Sequence, residues 1–501
     1  MAFITGGKHF GQYTYEHWFD DEYDKAIEHT EDRMKVVLKN FRIIDEESDF
    51  SGSVIIENGI IKEILPGQES SRETDAAIII DGLSYTHQDT HQDTHSNTHP
   101  VLMPAFVDLH AHFRDPVLYE KDTKLLSEAP LPSEYIESAS MAAAAGGFGT
   151  VICMANTRPA TDTIEKAKAV KNISDALGII DLYPVISLTK GMEGKELSEI
   201  SAIKSMHERE KEGKPRNNGS FCVPLMLSED GKDLANDDLF FSAMKEAKRI
   251  GIPISCHCDL WGDENKAVRR VIELGKKAGC HIHIAHVSAK ETVETIRQIK
   301  SEAKSGVRAE PPADGSSGDF ILTCEVMPHN LCLTEEDAKK LGAESWGRVN
   351  PPLRSEEDRA ALIRALEDGT IDAIATDHAP HTTAQKEAGA PGFSGLETAF
   401  AAVYTELIRN NPEQTKFDLK RLSSLMSANP ARLLGLGSGP VKRGRILPGY
   451  LADFVIIDTD AQWIVNTSTF KSRGKNSAFK GRLLYGKVLM TIHGGRVVFE
   501  G

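Results

Sequence analysis

The chain has 501 residues, of which 40% are hydrophobic and 26% are charged, so it can bury a large core and is not a disordered protein. Its formal net charge of −16 argues against a protein that wraps nucleic acid or lies on an anionic membrane, because both functions need a basic face. The length predicts one large domain and a smaller one.

Residues 1–33 are polar and acidic, and we expect them to form an extension outside the main fold. They lack the basic start and apolar stretch of a secretory signal, and no apolar run in the chain is long enough to span a membrane. The seven cysteines are an odd number without zinc-finger spacing, which fits reduced thiols better than a disulfide framework. We therefore expect a cytoplasmic protein with no membrane partner and no nucleic-acid partner.

Short β-branched runs begin after Met34 and predict a small β domain. Val36-Val37-Leu38 and Val54-Ile55-Ile56 are typical of strands, and the Asn58-Gly59 pair that follows is a strong hairpin signal. Further short strands near the C-terminus are expected to pair with them. We predict a β-sandwich domain built from both termini, residues 34–100 and 435–501.

Two segments have the composition of insertions. Residues 84–100 contain a repeat rich in Thr, Asp, Asn and Ser, which disfavour helix interiors, so we interpret this segment as a surface insertion. Its histidines, four residues apart, are not assigned to the active site: they are His87, His91, His95 and His99. Residues 305–320 are rich in Pro, Gly and Ser and are predicted to form a surface loop.

Between residues 101 and 434, short apolar runs alternate with helical patterns, as they do in parallel β/α units. Eight candidate strands end near His112, Asn156, Thr189, Asp230, His257, His286, His329 and Asp377. Eight such units predict an α/β fold with a TIM-type (β/α)8 barrel, in which the chemistry lies at the C-terminal ends of the strands. Most of these ends carry His, Asp or Asn, which places the polar residues on one rim.

The first predicted barrel strand ends in His110-Ala111-His112. Side chains at positions i and i+2 of a strand point to the same face, so both imidazoles can bind one cation. Arg114 has the same parity and can bind a substrate carboxylate through two donors. The alternative, a pair of surface histidines, depends on whether the other strand ends supply further ligands.

Six sequence blocks are similar to those of a known family. They are Pro104–Pro116, Gly146–Pro159, Leu188–Gly191, Ser228–Lys232, Asn350–Arg354 and Asp372–His381. These blocks resemble the amidohydrolase superfamily of metal-dependent cyclic amidohydrolases and, within it, the class I dihydroorotases of pyrimidine biosynthesis. The last two blocks are the most specific. The resemblance extends from about Met34 to the C-terminus, apart from the two insertions.

The resemblance implies a zinc site, with two ions favoured over one. His110, His112 and Asp377 would bind one ion, and His257 and His286 the other. Many relatives bridge the ions with a carbamylated lysine on strand four, which this chain lacks, so Asp230 is the expected ligand there and Glu229 is the alternative. Asp377 would also be the catalytic base. The substrate would be bound by Arg114, Asn156, Asn350 and His381.

The implied function is the reversible, zinc-dependent interconversion of (S)-dihydroorotate and N-carbamoyl-L-aspartate in de novo UMP biosynthesis. Two alternatives remain: another cyclic amidohydrolase, such as an allantoinase or dihydropyrimidinase, and a non-catalytic scaffold paralogue. The missing strand-four lysine and the presence of Arg114 argue against a dihydropyrimidinase, and the retention of every candidate ligand argues against the scaffold. The resemblance is also compatible with a homo-oligomer and with association with aspartate transcarbamoylase.

Overall fold

The fold is that of a computed structural model, which describes residues 35–67, 78–85, 99–115, 133–211, 224–304, 320–410, 416–438 and 441–501. The predicted N-terminal extension lies outside the described residues, as do most of the two predicted insertions.

Strands from both ends of the chain pair in one sheet. They are β1 (Lys35–Ile44), β2 (Asp49–Glu57), β3 (Ile60–Pro66), β4 (Ile78–Asp81), β5 (Val101–Pro104), β14 (Phe454–Ile464), β15 (Leu483–His493) and β16 (Arg496–Glu500). The order is β16-β15-β14-β5-β1-β2-β3, and β4 also pairs with β1. The strands of the two termini therefore hydrogen-bond into one continuous sheet of eight strands.

The Asn58-Gly59 turn connects β2 to β3, as the sequence predicts. Both residues have positive φ angles, 52° and 74°, as a type I′ turn requires. A Cβ atom on Gly59 would lie only 2.7 Å from the carbonyl oxygen of Gly494. The turn thus packs closely against the connection between β15 and β16.

Eight parallel strands follow in the described part of the chain. They are β6 (Phe106–Ala111), β7 (Phe148–Cys153), β8 (Asp181–Pro184), β9 (Leu227–Ser228), β10 (Ile254–Cys256), β11 (His281–Ile284), β12 (Ile321–Val326) and β13 (Ala373–Ile374). They pair in the orders β6-β7-β8 and β9-β10-β11-β12-β13. Single parallel bridges, Ile186 to Leu227 and Ala111 to His378, link these two groups. The number and order of the strands agree with the sequence prediction.

Each connection between consecutive strands from β6 to β13 contains at least one helix. The α-helices of the described residues are Ile136–Ala145, Ile164–Leu177, Ile200–Lys211, Asp237–Ile250, Glu264–Ala278, Lys290–Lys304, Pro328–Cys332, Glu335–Leu341, Glu356–Asp368, Thr383–Glu387, Ala399–Tyr404, Leu419–Ser423 and Asn429–Leu433. None of the described helices is long and apolar enough to cross a membrane.

The helix Asp237–Ile250 shows how the sequence sets these elements. The Asn236 side chain accepts a hydrogen bond from the Leu239 amide at its start, and Gly251 ends it with a left-handed φ of 86°. Its buried residues lie at positions i, i+3, i+4, i+7 and i+10, which gives one apolar face: Phe240, Ala243, Met244, Ala247 and Ile250.

The apolar run at residues 101–107 contains two strands, where the sequence predicts one. β5 belongs to the terminal sheet and β6 begins the parallel strands, with the Ala105 amide donating to the carbonyl oxygen of Asp453 between them. Both faces of β5 are buried: Leu102 lies in the small core of the terminal sheet, whereas Val101 and Met103 join the large core. A strand buried on both faces reads as a continuous apolar run, so the boundary leaves no mark in the pattern.

Candidate active site

Six polar side chains meet at the C-terminal ends of the parallel strands. Each side chain is at or just beyond the end of its strand, and each residue is at most 8% exposed: His110, His112, Asp230, His257, His286 and Asp377. These are the six residues that the sequence predicts as metal ligands. The parallel arrangement brings together residues that lie up to 267 positions apart in the chain.

Two groups of potential ligand atoms share Asp230. His110, His112 and Asp230 form one group and Asp230, His257 and His286 the other, with the atoms of each group within 4.8 Å of one another. Asp230 Oδ1 lies 3.2 Å from His110 Nε2 and 3.6 Å from His257 Nδ1. His257 Nδ1 lies 2.7 Å from His286 Nε2. The Asp230 carboxylate therefore stands between the two histidine pairs, where it could bridge two ions.

The alternative strand-four residue faces elsewhere. Glu229 accepts hydrogen bonds from the amide of Thr189, at 3.0 Å, and from the hydroxyl of the same residue. Lys232, the lysine that follows, donates from Nζ to the carbonyl oxygen of Met192 at 2.9 Å. Neither side chain belongs to the two ligand groups, so the geometry favours Asp230 over Glu229.

Asp377 lies beside the first ligand group. Its Oδ1 is 3.0 Å from His112 Nε2 and 3.7 Å from His110 Nε2. Its φ angle is 44°, and His286 and Arg114 also have left-handed φ angles, of 36° and 58°. A left-handed conformation costs a residue other than glycine about 1–3 kcal/mol and tends to occur at functional sites.

A buried carboxylate that the sequence analysis missed orients His110. Glu325, in β12, is fully buried, with Oε1 3.0 Å from His110 Nδ1 and Oε2 3.1 Å from His283 Nε2. Because Nδ1 of His110 donates to Glu325, Nε2 is the nitrogen left for a metal. The available signal was an acidic residue within an apolar strand, which has to be paired when it is buried.

A second missed carboxylate supports the segment before Asp377. Asp108 accepts hydrogen bonds from the amide and the hydroxyl of Thr376, at 2.9 and 2.6 Å. Burial raises the pKa of Asp108 to about 7. Asp108 is two residues from His110 on the same strand, so it joins the strand that carries His110 to the segment that leads to Asp377.

The predicted substrate-binding residues lie around the same rim. Asn156 accepts from His112 Nδ1 at 2.8 Å and donates to Asp230 at 3.3 Å. Asn350 Nδ2 lies 3.2 Å from His257 Nε2 and 3.1 Å from an oxygen of Asp259.

Arg114 and His381 complete this set. The buried Nε of Arg114 has no hydrogen-bond partner among the described residues. Burial and the positive charge of Arg114 lower the pKa of His381 to about 4, which indicates that the two groups are near each other. His381 Nε2 donates to the carbonyl oxygen of Pro391 at 2.8 Å.

The buried carboxylates of the site favour a cation between the imidazoles. Burial alone would lower the pKa of His110, but the carboxylates of Asp230 and Glu325 raise it well above the ordinary value. Burial alone would raise the pKa of Asp230, but the charges of His110 and His112 hold it well below the ordinary value. The carboxylates thus gain from any positive charge between the imidazoles, whether a proton or a metal ion.

The donor set fits zinc. Imidazole nitrogen and carboxylate oxygen are ordinary zinc ligands. Among the described residues, the buried Nε2 of His110 has an ion-pair contact with Asp230 but no well-directed hydrogen bond. Burial and the charge of His257 lower the pKa of His286 to about 3, so that imidazole is neutral, as a ligand must be.

Comparisons with known proteins agree with this geometry. Residues 101–498 match the Amidohydrolase family. The chain is 36% identical over 475 residues to a dihydroorotase from Clostridium botulinum, covering 93% of this chain and 100% of that protein. A dihydroorotase from a Thermoanaerobacter species is 34% identical over 496 residues, covering 93% and 98%. The solved L-hydantoinase (dihydropyrimidinase) from Arthrobacter aurescens superposes with a TM-score of 0.71 at 25% identity, covering 93% and 96%.

Proposed function

Because the chain belongs to the amidohydrolase family, we propose that this hydrolase of cyclic amides is a dihydroorotase. It hydrolyses the ring amide of dihydroorotate to N-carbamoyl aspartate and catalyses the reverse cyclisation. The observation that carries the proposal is the buried Asp230 between two histidine pairs, with Arg114 and Asp377 close by. The metal groups suit amide hydrolysis, and the arginine suits a substrate that bears a carboxylate.

We infer that the eight parallel strands close into a TIM-type (β/α)8 barrel. The single bridges between β8 and β9 and between β6 and the segment after β13 support closure, because they join both edges of the two strand groups. A closed barrel brings the ends of all its parallel strands onto one rim. The six ligand candidates, drawn from five strands, occupy that rim.

The proposed cofactor is zinc, with two ions per subunit. His110, His112 and Asp377 would hold one ion and His257 and His286 the other, with Asp230 between them. Bound zinc polarises a carbonyl and lowers the pKa of water to about 7. Glu325 and Asn156 would fix the imidazoles of His110 and His112 by accepting from their Nδ1 atoms.

Polar side chains of this protein can contact both the carboxylate and the ring amide of the substrate. Arg114 would supply the charge for the substrate carboxylate, and Asn156 has one amide proton left after donating to Asp230. His381 would contribute Nδ1 in the protonated form, which a bound carboxylate favours. Asn350 donates to Asp259 at 3.1 Å, so its oxygen is left to accept from the ring N–H.

Asp377 would move the proton. In the hydrolytic direction, water adds to the ring carbonyl and Asp377 accepts its proton, then delivers that proton to the ring nitrogen as the C–N bond breaks. In cyclisation, the same carboxylate takes a proton from the carbamoyl nitrogen as the nitrogen attacks the carboxyl carbon and water leaves. Although burial alone would raise the pKa of Asp377, the hydrogen bond with His112 and the imidazole charges hold it low, so the base starts ionised.

The test is the rate of ring opening by zinc-loaded protein on dihydroorotate, beside allantoin, hydantoin and dihydrouracil. We expect turnover of dihydroorotate alone, and a fall in kcat of about 100- to 10,000-fold in Asp377→Asn. Because Asp377 is also a proposed ligand, the zinc content of the variant is measured in parallel. Activity on hydantoin but not on dihydroorotate would move the chain to the hydantoinases, and zinc-bound protein inactive on all four would favour a scaffold.

We also propose that the protein acts in the cytoplasm on a small molecule. Association with a second copy or with aspartate transcarbamoylase stays a prediction of the family resemblance. Light scattering of the purified chain, alone and mixed with aspartate transcarbamoylase, tests both associations.

A further inference from the structure

A buried lysine lies behind the proposed substrate site. Lys386, in the helix Thr383–Glu387, is fully buried. Its Nζ donates to the carbonyl oxygens of Arg348 at 2.8 Å, Ala390 at 2.8 Å and Gly392 at 3.0 Å. These bonds use all three protons of the ammonium group, and no described carboxylate pairs with it.

The three carbonyl groups belong to two loops, one that carries Asn350 and one that contacts the ring of His381. Arg348 is two residues before Asn350. Ala390 and Gly392 flank Pro391, whose carbonyl oxygen holds the ring of His381 at 2.8 Å. The amide of Gly392 also donates to the carbonyl oxygen of Arg348 at 3.0 Å. The Lys386 ammonium therefore joins the Asn350 loop to the support of the His381 ring.

Asn476, in the C-terminal part of the chain, also binds the loop that contains Gly392. Asn476 donates to the carbonyl oxygens of Ala379 and Gly392, at 3.1 and 3.0 Å, and accepts from the amide of His381 at 3.0 Å. Gly392 has a φ of 132°, and a Cβ there would lie 2.5 Å from the Ala379 Cβ. The carbonyl group of Gly392 is thus a shared acceptor for Lys386 and Asn476.

A buried lysine without a carboxylate partner is a costly way to stabilise a fold. Burying an ammonium without a carboxylate carries a desolvation penalty that apolar packing would not have. Burial and the charge of Arg348 accordingly lower the pKa of Lys386 to about 8. Lys171 is the contrasting case, a buried lysine paired with Asp175 and with Asp181, which begins β8 at the end of the strands opposite the rim.

We propose that Lys386 is a positioning residue for substrate binding. It holds the Asn350 loop against the loop that supports the His381 ring, and this inference rests on the proposed function. It does not touch the reacting atoms. It acts by fixing where Asn350 and His381 stand, so its loss weakens substrate binding more than it slows the chemical step.

The test compares Lys386→Met with Lys171→Met, which removes a buried ammonium elsewhere. We expect Lys386→Met to raise KM for dihydroorotate at least 10-fold with less than a 3-fold change in kcat. Lys171→Met should lower Tm and leave KM unchanged. A purely structural role of Lys386 would lower the folded fraction, so apparent kcat would fall at constant KM, and that result would overturn the proposal.

Hydrogen exchange provides a readout that needs no turnover. At pH 7, Lys386→Met should lose protection at the amides of Gly392 and Ala379, whereas Lys171→Met should keep it. If wild-type protein does not hydrolyse dihydroorotate, the proposed function fails, and the exchange difference alone decides whether Lys386 holds the loops.

If Lys386→Met does not fold, Lys386→Gln keeps two donors and should show the same changes in KM and exchange, at smaller size. Unchanged KM and protection in the folded variant would contradict the proposal.

Discussion

The orientation of His110 depends on Glu325, a carboxylate on the far side of its ring from Asp230. Glu325 accepts from Nδ1 of His110 and lies against His283. Loss of such an outer partner typically lowers metal affinity by about 10- to 100-fold. We therefore expect Glu325→Gln to raise the zinc dissociation constant by about that factor, measured by competition with a chromogenic chelator.

Glu397→Gln is the matched control for that measurement. The Glu397 carboxylate is partly buried and accepts hydrogen bonds from the amides of Lys471 and Ser472, and no described hydrogen bond or ion pair joins it to the proposed ligands. Its variant should bind zinc like the wild-type protein. Equal affinities of Glu325→Gln and wild-type protein would show that Glu325 does not support the metal site.

Single residues were predictable where a local rule fixed their direction. The i and i+2 spacing of His110 and His112 sufficed, because strand parity holds through Ala111. Parity does not reach Arg114, since the strand has ended and its φ is 58°. The choice between Asp230 and Glu229 needed the structure, because it depends on which of them Thr189 binds.

At the scale of an element, the Asn58-Gly59 hairpin has two separate constraints. Gly59 has a φ of 74°, and a Cβ at this position would overlap the carbonyl group of Gly494. We expect Gly59→Ala to lower the free energy of unfolding by about 1–2 kcal/mol for the left-handed backbone and by at least about 1 kcal/mol more for the overlap. Urea denaturation measures the sum.

Gly481→Ala isolates the backbone part of that loss. Gly481 has a φ of 78°, and no described atom lies within 4 Å of a Cβ placed there. It should therefore lose only the first, smaller amount. If both variants are destabilised equally, the close approach between the hairpin and Gly494 does not contribute to stability.

Among single elements, the Asn58-Gly59 turn was predicted best, because a type I′ turn needs residues that tolerate positive φ angles. The boundary between β5 and β6 was missed. The apolar run continues from β5 through Phe106 and Val107 of β6, so hydrophobic periodicity cannot mark where one strand ends and the next begins.

At the scale of the whole molecule, the eight β/α units could be counted because each is local in sequence. The terminal strands were predicted to pair, but their order could not be predicted, since it depends on β5 pairing with β1 and with β14, which lies about 350 residues away. Buried charges also tie the C-terminal strands to the parallel ones. Arg443 pairs with Asp181 of β8 and lies 3.0 Å from Asp453.

His493, at the end of β15, makes this junction sensitive to pH. Its Nδ1 lies 2.9 Å from Asp453 Oδ1, and although burial alone would lower its pKa, Asp453 and Asp181 raise it above the unfolded value of about 6.5. The stabilisation is therefore complete below about pH 6.5 and is lost as pH rises through the folded pKa, with a slope of at most about 1.4 kcal/mol per pH unit. We expect His493→Gln to remove that slope in urea denaturation from pH 6 to 9. His281 is the control, because its pKa shifts in the opposite direction: burial lowers it to about 4. His281→Gln should therefore change the pH dependence of the free energy of unfolding only below about pH 6.5. A wild-type slope unchanged in His493→Gln would place the pH dependence outside this junction.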